Sequence, residues 1–276
     1  MTLTEKYRPR RLADLLGQPW VVDQLQLFLE SPHSTAFCFA GPTGTGKTSA
    51  ALCLAAELGI LVEQAEYSGL WQIASGEQTG ETVRRMMERL RVTPLMGSGW
   101  RCLVVNEADC LTPNAAYVWL DALENLPPRT VVVFTTNELK RLPQRLRDRC
   151  ECFEFQAGAL TLRPDLQALA ARVWAAEVGG PCPDVETFGP VGDERGEVSF
   201  RRLLQRMEPA VRARGRTVPQ PVPVASTPIG SSDLKKIWER RLAGMTWGIL
   251  SRELNLPETT IRGRLYRAGL MKKVSR

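Results

Sequence analysis

The sequence predicts an α/β fold with a parallel sheet, followed by a small all-helical domain and a basic C-terminal module. Short apolar runs without polar alternation recur between residues 35 and 136, as in strands that are buried on both faces. Helical periodicity fills the intervals between these runs. Of the 36 Lys and Arg residues, 11 lie in residues 233–276.

Strand and helix patterns alternate within residues 1–156. The stretches TAFCFA from Thr35, RCLVVN from Arg101 and RTVVVFTT from Arg129 predict strands. Helical periodicity marks the stretches KTSAALCLAAEL, ETVRRMMERLRV and PNAAYVWLDALENL. This alternation favours parallel strands covered by helices, so residues 1–156 are predicted to form one α/β domain.

The second half of the chain has a different pattern. Residues 157–214 contain two helical stretches, LRPDLQALAARVWAAEV and VSFRRLLQRMEPAVRA, and no comparable strand, which predicts a small helical lid domain. Residues 215–232 are rich in proline and poor in large apolar side chains, which predicts an extended, mobile linker. Residues 233–276 then form a third predicted domain.

Composition limits the classes of protein. The chain is 43% hydrophobic and 24% charged, as soluble globular proteins are. No apolar run approaches the ~18 residues of a membrane span, and the charged start MTLTEKYRPRRL lacks the apolar core of a signal peptide. With seven cysteines and one histidine, neither a disulfide framework nor a zinc site is indicated. We therefore expect a cytoplasmic protein without a membrane partner.

The basic charge is concentrated at the C-terminal end. Residues 233–276 carry 11 Lys/Arg against four Asp/Glu, whereas the remainder of the chain is close to neutral. Such a segment points to nucleic acid as a partner.

Its sequence has the rhythm of a helix-turn-helix. A first helix is predicted from Asp233 to Leu242, Thr246 is a candidate N-cap for a second helix, and Pro257 suits the start of a third. The third helix would turn Ile261 and Leu265 inward and present its N-terminal residues and arginines to DNA. The predicted DNA contacts are Thr259, Thr260, Arg262, Arg264 and Arg267. A three-helix module that docks a protein is the alternative.

The stretch GPTGTGKT matches the phosphate-binding motif G-x-x-x-x-G-K-[ST] and lies between a predicted strand and a predicted helix. Its glycines allow backbone N–H groups to face phosphate oxygens, Lys47 would reach the β- and γ-phosphates, and Thr48 would bind Mg²⁺. ATP and Mg²⁺ are therefore the predicted cofactors. The predicted nucleotide contacts here are Gly41, Pro42, Thr43, Gly44, Thr45, Gly46, Lys47, Thr48 and Ser49.

A second candidate element follows the strand CLVV. Glu107 is placed to take a proton from an attacking water. The preceding position, where an aspartate normally assists Mg²⁺, is Asn106, whose amide oxygen can accept a hydrogen bond but adds no negative charge. We expect weaker support of Mg²⁺ and slow ATP turnover.

The combination EKYRPRRLADLLGQ, GPTGTGKT, NEADCLT, FTTNE and LRDRCECFEF resembles AAA+ ATPases of the clamp-loader clade, and in particular the small subunits of replication factor C. The resemblance covers residues 4–210. It implies an AAA+ nucleotide-binding domain over residues 1–156, an assembly of identical or different subunits, and action on DNA with a sliding clamp or another replication protein as a candidate partner.

The resemblance also implies roles for individual residues. Tyr7, Arg8 and Pro9 would pack against adenine, Asn137 would orient the attacking water, and Arg149 would reach the ATP of a neighbouring subunit. Arg201 resembles the second sensor, which touches the γ-phosphate. The helix that contains Arg84 resembles the DNA-facing helix of clamp loaders, although its apolar residues also suit ordinary packing on a sheet.

Two alternatives stay open at this point. The chain can be an ATP-binding regulatory module with weak or no hydrolysis, in which DNA binding is the main task. An AAA+ body with a C-terminal DNA-binding module is also similar to branch-migration motors. The retained Lys47, Glu107 and Arg149 favour a hydrolysing enzyme over the first alternative.

Overall fold

The first domain is a five-stranded parallel sheet with the strand order β2-β3-β4-β1-β5. The computed structural model describes residues 1–193, 196–215, 231–242 and 245–246, together with Leu250, Ile261 and Leu265. The strands are β1 (Thr35–Ala40), β2 (Leu70–Ile73), β3 (Arg101–Val105), β4 (Thr130–Thr136) and β5 (Glu151–Glu154). The predicted parallel α/β sheet is thereby confirmed.

Ten α-helices have described bounds. They are α1 (Leu3–Lys6), α2 (Pro19–Glu30), α3 (Lys47–Glu57), α4 (Ala65–Ser68), α5 (Gly80–Arg91), α6 (Pro113–Glu124), α7 (Gln144–Arg147), α8 (Ala159–Glu177), α9 (Phe200–Gly215) and α10 (Ser231–Leu242). Thr79 and Thr112 cap α5 and α6 by accepting backbone N–H groups in their first turns.

Helices cover both faces of the sheet because the strand residues are apolar on both sides. In β1, Phe37 and Phe39 pack into one core with α2 and α3, whereas Ala36 and Cys38 pack into the other with α5 and α6. β3 and β4 divide their side chains in the same alternating way. The sheet is thus fixed between two apolar layers.

The helical lid has a third core of its own. Leu162, Leu166 and Val173 of α8 pack against Leu203 and Met207 of α9. The lid and the sheet domain nevertheless belong to one compact unit, Met1–Arg216, so the predicted boundary after residue 156 falls inside this unit.

The lid rests directly on the loop that follows β1. The backbone N–H of Phe200, at the start of α9, donates a hydrogen bond to the Gly44 carbonyl at 3.1 Å. Gly44 has a left-handed φ of 84°, and a Cβ at this position would lie 1.9 Å from the Ser199 Oγ. Glycine is therefore required here by both the backbone conformation and the space.

The second compact unit comprises residues 217–276. Its described part is α10 and a small apolar cluster in which Ile237, Leu250, Ile261 and Leu265 are buried. Burial of Ile261 and Leu265 agrees with the inward positions expected of them. The Pro-rich linker and most of the second and third predicted helices lie outside the described residues, so the helix-turn-helix stays a prediction.

Across the part of the chain that the structure describes, no helix combines the length and the apolar character needed to cross a bilayer.

Candidate functional site

A cleft of about 390 Å³ lies where the carboxyl ends of the strands meet the lid. β3, β4 and β1 are neighbours in the sheet, so the segments that follow them end side by side. The walls come from the N-terminal segment, the loop after β1, the ends of β3 and β4, and helices α8 and α9. Most of the residues predicted to bind a nucleotide lie in these walls.

The loop after β1 is shaped to surround an anion. Gly41, Gly44 and Gly46 have φ values of 145°, 84° and 104°, which lie in a region that side-chain-bearing residues avoid. The loop leads directly into α3, whose first residue is Lys47. Its backbone N–H groups and the positive end of the helix dipole are therefore available to phosphate oxygens.

Lys47 is buried and already hydrogen-bonded. Its Nζ donates to the carbonyls of Gly41 at 2.5 Å and Pro42 at 2.9 Å, and to Asn137 Oδ1 at 3.3 Å. Burial, together with the positive charge of Arg201, lowers the Lys47 pKa to about 8. Gly41 and Pro42 thus hold the lysine and do not line the cleft themselves.

The two predicted metal ligands lie together. The Thr48 hydroxyl donates to Asn106 Oδ1 at 3.2 Å. Neighbouring ligands of an octahedral Mg²⁺, with bonds of 2.0–2.1 Å, are about 2.9 Å apart. The pair is therefore spaced for one hard cation, with oxygen as the donor from both residues.

Glu107 lies in the cleft wall in a left-handed backbone conformation, with φ of 52°. This conformation is uncommon for a residue other than glycine and occurs where the surroundings enforce it. The Glu107 N–H donates to Thr135 Oγ1 at 3.2 Å. The strand β4 therefore holds the glutamate from one side.

A buried glutamine, which the sequence analysis did not single out, holds Glu107 from the other side. Gln78 is 2% exposed, and its Nε2 donates to the carbonyl of Asn106 and, at 3.1 Å, to that of Glu107. Its Oε1 is buried and has no hydrogen-bond partner among the residues that the structure describes. The only signal in the sequence is a polar residue directly before the N-cap Thr79.

Asn137 follows β4 and faces the phosphate loop. Its Oδ1 accepts hydrogen bonds from Lys47 Nζ and, at 3.2 Å, from Thr43 Oγ1. This location at the cleft suits a polar side chain that contacts a bound phosphate or water.

The N-terminal segment supplies Tyr7, Arg8 and Pro9 to the cleft, as predicted. The Tyr7 hydroxyl donates to Glu177 at the end of α8, at 2.6 Å. Burial raises the pKa of Tyr7 to about 12, and the hydrogen bond to Glu177 adds to this effect. Tyr7 thus stays protonated and anchors this segment to the lid.

The lid contributes Arg201, which lines the cleft close enough to Lys47 to affect its pKa. Other lining residues were not predicted, because they come from the N-terminal segment, the ends of β2 and β4 and the lid, which only the tertiary fold brings together. They are Thr4, Asp14, Leu15, Leu16, Ala74, Ser75, Thr135, Leu169, Arg172, Phe200 and Leu204.

Arg149 lies away from its own cleft. Its guanidinium forms an ion pair with Glu124 at the end of α6 and donates to the Arg145 carbonyl at 2.9 Å. About a third of the Arg149 side chain is exposed to solvent. The structure therefore does not bring Arg149 together with Lys47 and Glu107.

The predicted DNA contacts divide into two groups. Arg84 is exposed on α5. Thr259, Thr260, Arg262, Arg264 and Arg267 lie outside the described residues.

Comparison with known proteins supports the predicted resemblance. Residues 37–157 match the family described as ATPase family associated with various cellular activities (AAA). The chain is 30% identical over 173 residues to the replication factor C small subunit of Halobacterium salinarum, covering 60% of this chain and 51% of the relative. It is 26% identical over 247 residues to that of Thermofilum pendens, covering 87% of this chain and 72% of the relative.

Coverage limits what these relatives show. The chain spans about half the length of the Halobacterium salinarum subunit, and 47% of the Archaeoglobus fulgidus small subunit, to which it is 31% identical. A solved structure of a RuvB mutant from Thermotoga maritima aligns with a TM-score of 0.50 at 17% identity, covering 98% of this chain and 93% of that chain. At this identity the likeness supports the fold alone.

Proposed function

Because this chain carries a clamp-loader-like AAA domain, we propose that it binds and hydrolyses ATP in the cleft, as one subunit of an assembly that acts on DNA. The observation that carries this proposal is the meeting of Lys47, Thr48 and Glu107 in one cleft beside a glycine-shaped loop. Binding the phosphates, holding a cation and accepting a proton are the three tasks that hydrolysis requires.

Phosphate binding uses the loop and Lys47. The Lys47 ammonium donates to the carbonyls of its own loop. Phosphate oxygens are stronger acceptors because they are charged, so Lys47 turns to them when ATP binds. Arg201 adds a second positive charge from the lid. Closure of the lid over the nucleotide follows from this arrangement.

Thr48 and Asn106 would hold Mg²⁺, for which their spacing and their oxygen donors are suited. When bound, Mg²⁺ neutralises charge on the β- and γ-phosphates. Asn106 brings a dipole to this site, and an aspartate would bring a full negative charge. We therefore propose that ATP turnover is slower than it would be with an aspartate at this position.

Glu107 accepts the proton of the attacking water in this proposal. Its carboxylate is directed by the backbone, which Thr135 and Gln78 hold in the left-handed conformation. Asn137, bonded to Lys47 and Thr43, is placed to orient the water or the γ-phosphate. Proton transfer and water positioning thus come from the ends of two neighbouring strands.

Arg149 would act in the site of a neighbouring subunit. It lies outside its own cleft and is held by an exposed carboxylate, Glu124, from which it can be released at low cost. An arginine that reaches a neighbour's γ-phosphate stabilises charge in the transition state. Full activity would then require an assembly.

The decisive experiment substitutes the base alone. Glu107→Gln keeps the shape of the side chain and removes its proton affinity, so ATP turnover should fall by about 10²–10⁴-fold while nucleotide binding persists. Glu88→Gln is the matched control, because Glu88 is an exposed glutamate on α5 and does not line the cleft. If the wild type turns over ATP no faster than Glu107→Gln, with and without primed duplex DNA, the protein is a nucleotide-binding module that does not hydrolyse ATP.

DNA binding is proposed to reside mainly in residues 233–276, which have a net charge of +7. If about five phosphates are neutralised, the slope of log affinity against log salt should be about −4 to −5. A protein that ends at Ser231 should lose most of its DNA affinity and keep ATP binding. If this truncation leaves DNA affinity unchanged, the DNA contact lies at α5, where Arg84 is exposed. The C-terminal module is then a protein-docking domain.

A further inference from the structure

Three cysteine thiols lie together on the face of the sheet that α5 and α6 cover. Cys38 is in β1, Cys152 is in β5, and Cys150 directly precedes β5. All three belong to one apolar cluster, in which Cys38 is buried and the other two are partly buried. None lines the nucleotide cleft.

Cys38 and Cys152 are direct partners in the sheet. β1 and β5 are parallel neighbours, and Cys38 pairs with Cys152 in their register. Paired residues of neighbouring strands are about 4.8 Å apart and point to the same face. Disulfides join Cα atoms that are about 4.4–6.8 Å apart. The spacing of the two strands therefore lies within the range that a disulfide spans.

The electrostatic surroundings activate Cys152. Its pKa is lowered to about 7, first by the hydrogen bond from Cys38 and then by the positive charge of Arg147, against opposing effects of burial and of Asp148 and Glu154. Arg147 Nε is buried and has no hydrogen-bond partner among the described residues. The Cys152 Sγ itself lies within hydrogen-bond distance of the carbonyls of Arg147, at 3.8 Å, and Cys150, at 3.6 Å.

Cys38 has the opposite property. The hydrogen bond to Cys152, followed by burial, raises the pKa of Cys38 far above its ordinary value. One thiol of the pair therefore keeps its proton, while the lowered pKa gives the other a larger thiolate fraction than an ordinary cysteine has, and the thiolate is the nucleophilic form.

We propose that Cys152 is a site of oxidation by hydroperoxides, and that Cys38 resolves the oxidised cysteine into a disulfide across β1 and β5. This is a modification site of the sheet edge, separate from the nucleotide cleft.

Atoms and electrons balance in two steps. The Cys152 thiolate attacks the terminal peroxide oxygen and the O–O bond breaks. The leaving oxygen takes one proton from solvent and departs as an alcohol or water, so that sulfur is oxidised to sulfenic acid and the peroxide is reduced. Cys38 sulfur then attacks Cys152 sulfur, the S–S bond forms and the S–O bond breaks. The proton held by Cys38 leaves with the hydroxyl as water.

Cys150 is the less suited partner. It is two residues from Cys152 along an extended chain, whereas Cys38 faces Cys152 directly across the sheet. Burial raises the pKa of Cys150 to about 12, so its thiol is not activated. The proposal therefore commits to the Cys38–Cys152 pair.

The test treats the full chain with hydrogen peroxide at pH 7.4, blocks remaining thiols with an alkylating agent, and maps the linked peptides by mass spectrometry. We expect a Cys38–Cys152 linkage that a reducing agent reverses. Cys110, which is exposed, should be oxidised at least tenfold more slowly than Cys152. A Cys150–Cys152 linkage, or equal rates at Cys110 and Cys152, would overturn the proposal.

Variants separate the two steps. Cys38→Ser should leave Cys152 as a sulfenic acid that a 1,3-dione reagent traps, whereas Cys150→Ser should form the same disulfide as the wild type. Circular dichroism checks that each variant is folded. In the wild type, the rate of Cys152 alkylation should be half-maximal near pH 7 and level off above about pH 8; a rate that still rises tenfold between pH 8 and 9 would contradict the activated thiolate.

Discussion

The cleft and the sheet edge around Arg149 differ in how many of the groups needed for catalysis a single chain brings together. In the cleft, residues from four segments already contact one another: Lys47 bonds to Asn137, Thr48 bonds to Asn106, and Gln78 holds Glu107. At the edge, the partners of Arg149 in the described part of the chain are Glu124 and the Arg145 carbonyl, and neither is in the cleft. The comparison separates a nucleotide site that one chain can form from an arginine that we propose to serve another chain.

The largest expected effect concerns Arg149. Arg149→Ala should lower ATP turnover by about 10³-fold in the assembled protein and leave nucleotide affinity unchanged, because the arginine acts on a neighbour's transition state. Mixing Arg149→Ala with Lys47→Ala should restore part of the turnover, since one subunit then supplies an intact cleft and the other an intact arginine.

Arg145→Ala is the matched control, because Arg145 is an exposed arginine on α7 whose backbone carbonyl, not its side chain, contacts Arg149. Steady-state turnover against protein concentration gives the readout. If turnover per subunit does not change on dilution and the protein has a monomeric mass, Arg149 does not act in a neighbouring subunit.

Next in size is the effect of Gln78, which sharpens the cleft side of the comparison. Gln78→Leu keeps the volume and removes the donor to the carbonyls of Asn106 and Glu107. Because a misplaced base costs up to about 10²-fold in rate, kcat should fall by roughly 10- to 100-fold. ATP affinity should change by less than about threefold.

Gln72→Leu, at an exposed position of β2, is the control for this substitution. Equilibrium binding of a fluorescent ATP analogue and single-turnover hydrolysis separate the two properties. An equal loss of binding and of rate would indicate that Gln78 only stabilises the fold.

A smaller effect is expected from pH, through Lys47. Its pKa in the free protein is lowered to about 8, mainly by burial and further by Arg201. The charged form binds phosphate, so ATP affinity should be constant below pH 8 and should fall by up to about tenfold for each pH unit above it.

Arg201→Met should move this inflection to higher pH, because a positive neighbour is removed, and Arg202→Met, whose side chain lies outside the cleft wall, should not. The measurement is a series of ATP titrations between pH 6.5 and 9.5. An inflection that stays in place in Arg201→Met would contradict the electrostatic link between lid and loop.

The smallest effect is expected at Asn106. Asn106→Asp adds a negative charge next to Thr48, which should lower the Mg²⁺ concentration needed for half-maximal turnover and raise turnover by less than about tenfold, or leave it unchanged. Asn125→Asp adds the same charge on the surface and should do neither. A Mg²⁺ titration of turnover distinguishes the outcomes, and a fall in turnover would contradict the proposed role of this position.

The sequence was sufficient to predict the central strands of the sheet but not its edges. β1, β3 and β4 are apolar on both faces, and their runs are visible without other information. β2 has four residues, and β5 alternates Glu-Cys-Phe-Glu at the edge, so neither has a distinctive apolar run. Their strand conformation results from pairing with neighbours in the sheet.

The site, like the sheet, could be predicted only where its residues form a local sequence pattern. The phosphate loop is a local motif, so its residues could be named in advance. Gln78 and Glu107 are 29 residues apart, and Tyr7 and Glu177 are 170 residues apart. Such contacts depend on tertiary packing, which no local pattern encodes.

The hydrogen bond from the Phe200 amide to the Gly44 carbonyl has a consequence for observing the protein at work. This amide reports on the distance between lid and loop, because its proton is protected only while the two are in contact. Its exchange with deuterium should therefore be slowed when ATP pulls the lid down, and quickened when the products leave. The exchange of a single backbone proton thus reports the opening and closing of the site, without a probe attached to the protein.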